Sequence, residues 1–336
     1  MKIATSSTKT FFKLLIYQLL FILSFFVILE LSLRFFFGYK ESYDGDTSCK
    51  VFHTDLNYST YKINCKISEK HWENDRWIDY QLNQYGRREI NQKPEGEKIA
   101  IFGDSFTFGL MVPIKHNYQF FAKENLFKKK YTIHNYGVSG EQLDHIFNKL
   151  STINLDEYDH VIYGLTPNDF FDYLKGDIKT EDSNFQKVKK LLLSTSLSRF
   201  MLHESMSIDQ IYYNTYKSRE PYSGYLESKL NKEWLEATNN LNTKINKLPK
   251  KVKNKLKIFL LPQKAEVVSY RLGKYNDAYK NEILKICYKS KINCKASNVP
   301  NLASIHDSHF PVDGHLTIKG NHSVAKDFAD WVNNWN

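Results

Sequence analysis

Cysteine is scarce, and none of it lies in a metal-binding pattern. Cys49, Cys65, Cys287 and Cys294 form no C-x-x-C, and no histidine spacing completes a zinc site. No zinc site is therefore expected, and no cofactor is called for. Arginine clusters, zinc-finger spacings and RNP-like segments are missing as well. The net charge of +10 comes mostly from lysine on a Lys- and Asn-rich background. It suits an anionic lipid or glycan surface and no nucleic acid. Internal repeats and low-complexity linkers are absent. With 42% hydrophobic and 25% charged residues, the 336-residue chain has the composition of a folded protein with a sizeable core.

The chain does have one long hydrophobic run. Leu14 to Leu33 reads LLIYQLLFILSFFVILELSL, with Glu30 as its single charge, close to the roughly 20 residues that cross a bilayer as a helix. Phe11, Phe12 and Phe35 to Phe37 extend it, while Lys13 and Arg34 are placed to snorkel to the two interfaces. Glu30 and Arg34 stand four apart and can pair on one helix face. The segment FFFGYKES that follows is bulky and offers no small-x-small cleavage site, so the run reads as an uncleaved anchor rather than a signal peptide. Lys2, Lys9 and Lys13 precede it without an acid, whereas Arg34 and Lys40 are diluted by Glu41, Asp44 and Asp46. The positive-inside rule then makes residues 1–13 a cytoplasmic tail and 14–37 a single inner-membrane helix, with everything from about residue 38 periplasmic. In an oxidising compartment the cysteines are expected to form two local disulfides, Cys49 with Cys65 and Cys287 with Cys294.

Residues 38–97 form a polar, Tyr- and Asn-rich lead-in with weak strand patterning. From Lys98 onward short apolar runs alternate with amphipathic ones. Strands are expected at 98–104, 131–137, 160–165, 256–262 and near 292–297, and helices at 116–130, 141–150, 276–290 and 318–335. This order predicts an α/β fold, a parallel sheet covered on both faces, with functional groups on the loops at the carboxyl ends of the strands. At about 170–255 the alternation breaks down into helical pieces, KVKKLLLSTSLSRFMLHESM and ESKLNKEWLEATNNLNTKI, which read as an insertion. Lys244 to Lys257 holds seven lysines and no acid, a solvated helix end and turn around Pro249.

Chemistry concentrates at two places. In GDSFTFG (103–109) a strand runs into Gly103-Asp104-Ser105, where glycine permits a sharp turn and leaves the Ser105 hydroxyl at the strand end. A serine nucleophile needs a base, a group to orient that base, and donors for the oxyanion. PVDGHLTIKGN near the C-terminus offers Asp313 and His315; in extended chain, residues two apart leave on one face. Gly140, in YGVSGE, can present a bare backbone N–H, and Asn168, in GLTPND, a side-chain amide. With the Ser105 N–H these make three donors, enough for an oxyanion hole. Asp104 reads as a turn-former bonded to local N–H groups. His306 and His309 compete with His315 as bases, but His315 is preferred because a helix is expected just beyond it, while His134, His145 and His160 read as structural.

The blocks GDSFTFG, NYGVSGE, GLTPNDF and DGHLTIKGN, in this order over about residues 80–336, resemble the SGNH (GDSL-like) hydrolase superfamily. LNQYGRREI resembles the N-x-x-G-x-R segment that precedes the first block in membrane-anchored bacterial members. The resemblance implies a three-layer α/β/α domain over 98–336, no metal, and ester chemistry. In it Ser105 is nucleophile, Gly140 and Asn168 are oxyanion donors, and Asp313 and His315 are acid and base. Two spacings differ from the commonest pattern. Block three has two extra residues, and the last block is D-x-H rather than D-x-x-H, which leaves Asp307 as the other carboxylate able to orient the base. A D-x-H spacing resembles the branch that O-acetylates exopolysaccharides. The expected function is thus an extracytoplasmic serine esterase or O-acyltransferase acting on acetyl esters of a cell-envelope glycan, with a membrane acyltransferase as a candidate partner. A lipid or general carboxylesterase, and a non-catalytic glycan-binding or scaffolding module, are the rival readings.

Overall fold

The computed structural model describes residues 4–36, 47–70, 77–174, 224, 226, 228–298, 308–310 and 314–335. Asp313, Asp307, His306 and the helical piece KVKKLLLSTSLSRFMLHESM lie outside them. The first element, α1 (Ala4–Phe36), forms over the apolar run. Its 22-residue stretch Phe11–Ser32 is long and apolar enough, by length and composition, to cross a membrane.

The lead-in folds into two antiparallel hairpins, β1 (Lys50–His53) with β2 (Tyr58–Tyr61) and β3 (Lys66–Lys70) with β4 (Trp77–Gln81). Cys49 and Cys65 are disulfide-bonded and tie the first hairpin to the start of the second. Closing a loop of this length removes about 3 kcal/mol of unfolded-state freedom. Cys287 and Cys294 form the second expected bridge.

The remaining strands are β5 (Glu97–Gly103), β6 (Tyr131–Asn135), β7 (His160–Leu165), β8 (Leu256–Leu260) and β9 (Asn293–Ala296). All pair in parallel in the order β6-β5-β7-β8-β9, the flavodoxin-like order of a doubly wound sheet. Side-chain alternation assigns each strand residue to one of two cores. Ala100, Phe102, Val161, Tyr163, Leu165, Ile258 and Leu260 point to one. Ile99, Ile101, Ile162 and Phe259 point to the other. The inner strands are apolar on both faces because helices cover both, as parallel strands require.

On the first face pack α4 (Leu143–Thr152), α6 (Lys232–Lys247) and α9 (Ala278–Ser290), through residues such as Ile146, Trp234, Leu241 and Ile283. The second is covered by α3 (Tyr118–Asn125), α8 (Lys264–Arg271) and α10 (Ile318–Asn333), through Phe120, Val267, Val324 and Phe328. Three short helices, α2 (Ser105–Phe108), α5 (Phe171–Leu174) and α7 (Lys250–Lys255), lie among these elements. Residues 232–247, read from sequence as part of the insertion, bury Trp234, Leu241 and Ile245 completely in the sheet core. They therefore serve as the helical layer preceding β8, and their polar remainder masked that face in the sequence.

Candidate active site

The site is built at the carboxyl ends of four strands. β5 ends at Gly103, where an added Cβ would lie 2.2 Å from Thr107 Oγ1 and 2.8 Å from the Gly164 carbonyl. Only glycine lets the chain turn this close to β7. Asp104 caps α2 by accepting the Phe106 N–H at 2.9 Å. Ser105 therefore opens the helix, where the first N–H groups have no partner within the helix. The other end of α2 is held by Arg88, which is fully buried. It donates to the carbonyls of Phe108 (3.3 Å), Gly109 and Val112 (2.7 Å). Arg88 is the arginine of the N-x-x-G-x-R segment, so that motif acts by bracing the turn that carries Ser105.

His315 Nε2 lies 2.7 Å from Ser105 Oγ. For the hydroxyl to donate in this pair, the imidazole proton sits on Nδ1. Phe106 packs beside the ring at 5.1 Å between centroids. The loop carrying His315 is a turn, not extended chain. His309 bridges Leu316, the His315 carbonyl accepts from the Phe310 N–H at 2.8 Å, and Gly314 adopts φ +92°. His315 is thus placed by its hydrogen bond to Phe310 and by the left-handed backbone of Gly314.

His309 is not part of the pair. Its Nε2 donates to the Pro262 carbonyl at 3.3 Å, which leaves Nδ1 to accept from the Ser308 hydroxyl at 3.0 Å. Burial pushes its pKa from 6.5 down to about 3. An unfolded chain binds this proton below pH 6.5 while the folded one does not, so stability is present above that pH and is lost as pH falls toward 3. His309→Gln keeps a donor for Pro262 and removes the titration. From pH 6.5 to pH 5 the wild type should lose about 2 kcal/mol more than this variant. Denaturant titrations of both proteins at the two pH values check this, and parallel pH profiles would refute it.

After β7 comes a dense polar network. Asn168 sits in a 3-10 turn, Pro167–Phe170, that accommodates the two extra residues of its block. Its Nδ2 donates to Asp104 Oδ2 at 2.9 Å, and its Oδ1 accepts from Gln263. The amide is thus fixed in orientation, with its second N–H uncommitted by the Asp104 bond. Thr166 Oγ1 lies 3.1 Å from carboxylate oxygens of both Asp104 and Asp169, and Tyr163 donates to Asp169 at 2.7 Å. Both carboxyls are fully buried. Burial raises the Asp104 pKa against the donors Asn168 and Phe106. It holds Asp169 well above the carboxylate range, with the Asp104 charge adding to the effect.

Ser105, His315, Gly140, Asn168, Gln263 and Lys264 line one cavity of about 260 Å³. Gly140 adopts φ +70°, a conformation that L side chains disfavour. The lead-in steadies its loop: Lys50 Nζ donates to the Ser139 carbonyl at 2.6 Å, the Ser139 N–H to Tyr61 Oη at 3.0 Å, and the Ser59 N–H to Glu141. Glu141 in turn forms a buried ion pair with Lys149 at 2.6 Å. Sequence reasoning did not single out Gln263, Lys264 or Glu141. The position of Gln263 and Lys264 just past β8 was the available signal for those two, since functional groups gather at such strand ends.

No family model and no curated protein matches the chain. Among solved structures it is similar to an acetylxylan esterase from Geobacillus stearothermophilus, solved as a catalytic mutant, at 11% identity and a TM-score of 0.41, over 73% of this chain and 98% of that one. It is also similar to a member of the lipolytic protein G-D-S-L family from Veillonella parvula, at 10% identity and a TM-score of 0.38, over 70% and 97%. A third is a GDSL-like lipase from Bacteroides ovatus, at 12% identity and a TM-score of 0.35, over 72% and 99%. With a serine hydroxyl and an imidazole 2.7 Å apart at the carboxyl end of a parallel sheet, the chain is an enzyme of the serine-hydrolase type.

Proposed function

We propose that this chain is an extracytoplasmic esterase or O-acyltransferase acting on acetyl esters of a cell-envelope glycan. Ser105 Oγ attacks the ester carbonyl while His315 Nε2 takes its proton. The N–H groups of Ser105 and Gly140 and the Asn168 amide meet the oxyanion, and Asp313 steadies the imidazolium. The protonated imidazole then returns its proton to the departing alkoxide. An acyl-serine remains, resolved by water in hydrolysis or by a second sugar hydroxyl in transfer.

The observation that carries the reading is the 2.7 Å Ser105–His315 contact inside a small cavity. That cavity is lined by Glu141, Gln142, Gln263 and Lys264 as well as Phe106 and Phe171. Its volume and polar walls favour a short acyl group on a polar alcohol over a long lipid chain. The two disulfides, the apolar stretch of α1 and the lysines that precede Leu14 support a domain outside the cell membrane, anchored by one helix. A membrane acyltransferase would supply the acyl group if transfer is the reaction.

Mass analysis of envelope glycan from cells with and without the protein tests the proposal. O-acetyl content should differ, and a chain bearing Ser105→Ala should behave like the deletion. Identical glycan in all three strains would refute it.

A further inference from the structure

A second cavity, of about 520 Å³, lies against the same loop as the Ser105 cavity and is the larger of the two. Gly137 and Val138 belong to its wall, whereas Gly140 and Glu141 line the Ser105 cavity. The loop 137–141 thus separates two chambers, and the Glu141–Lys149 pair bridges them, since Lys149 lines the larger one.

The walls of this chamber combine ring faces with hydrogen-bonding edges. Tyr58, Tyr61, Tyr85 and Tyr136 contribute the rings, and Tyr85 is 65% exposed. The Arg87 guanidinium lies 4.8 Å from the Tyr85 ring centre and 5.0 Å from that of Tyr136, and donates to Tyr136 Oη at 2.8 Å. One cation therefore holds two rings in place. Arg87 and Lys149 are each matched by a carboxylate of the protein, at 2.8 Å from Glu89 and 2.6 Å from Glu141. With these charges balanced internally, an anionic ligand gains little here. A neutral sugar suits such walls: its C–H faces pack on an exposed amphipathic ring such as Tyr85, and its hydroxyls bond to edges such as Thr60 and Glu157.

We infer that the tyrosine-lined chamber binds neutral sugar units of an oligosaccharide whose esterified unit occupies the Ser105 cavity. This rests on the glycan reading above and adds a subsite to it. The full-length chain in detergent is assayed for acetate release from O-acetylated cello-, xylo- and chitotetraose and from the corresponding O-acetylated monosaccharides. At least one tetrasaccharide should exceed its monosaccharide in kcat/KM by about tenfold or more, because contacts remote from the reacting bond lower the barrier. Tyr85→Ala should remove that chain-length advantage with an unchanged unfolding temperature, and Tyr85→Trp should retain it. Two results overturn the subsite and leave the glycan reading standing: equal wild-type rates on both lengths, or an advantage that survives Tyr85→Ala. A wild type that cleaves p-nitrophenyl acetate but none of the sugars overturns both.

Discussion

Ser105→Ala should lower turnover of p-nitrophenyl acetate by about 10³-fold or more while the protein stays folded. The hydroxyl is 2.7 Å from His315 Nε2, and the side chain is almost completely buried at the start of α2. Removing one oxygen creates only a small void, whereas it removes the atom that forms the acyl intermediate. The backbone N–H of residue 105, the Gly140 loop and the Asn168 amide persist in the variant, so residual catalysis above the uncatalysed rate is expected from them. Steady-state kinetics with a thermal-unfolding control checks this. Undiminished turnover in a folded variant would refute the assignment of Ser105 as nucleophile.

Asp313→Asn should reduce kcat by about 10⁴-fold, through loss of the charge that stabilises the imidazolium and sets its tautomer. Asp313 stands two residues before His315 in the D-x-H block. Gly314 and His315 are held by hydrogen bonds to Phe310. Asp307→Asn should retain most activity, as should His306→Ala. Comparing kcat for the three variants decides between the two carboxylates. An inactive Asp307→Asn beside an active Asp313→Asn would transfer the orienting role to Asp307 and leave the Ser105–His315 pair in place.

The α/β class, all five strands of the parallel sheet and the two disulfides were legible along the chain, because each rests on short-range pattern. Runs such as KIAIF and HVIYGL are apolar on both faces only when helices cover both. Ser105 and His315 were legible through motifs whose residue types the chemistry itself demands. Tertiary structure alone decided how these groups meet. That the His315 imidazole reaches 2.7 Å from the Ser105 hydroxyl, while His309 is buried against Pro262, follows from where the fold brings these loops. That Asn168 presents a fixed amide follows from Asp104 and Gln263, residues 64 and 95 positions away. Residues 232–247 joined the core because Trp234 and Leu241 meet the sheet, which a mostly polar helix does not announce. A sequence pattern records which face of an element is apolar, but a hydrogen bond between distant residues depends on where the whole chain has already brought them.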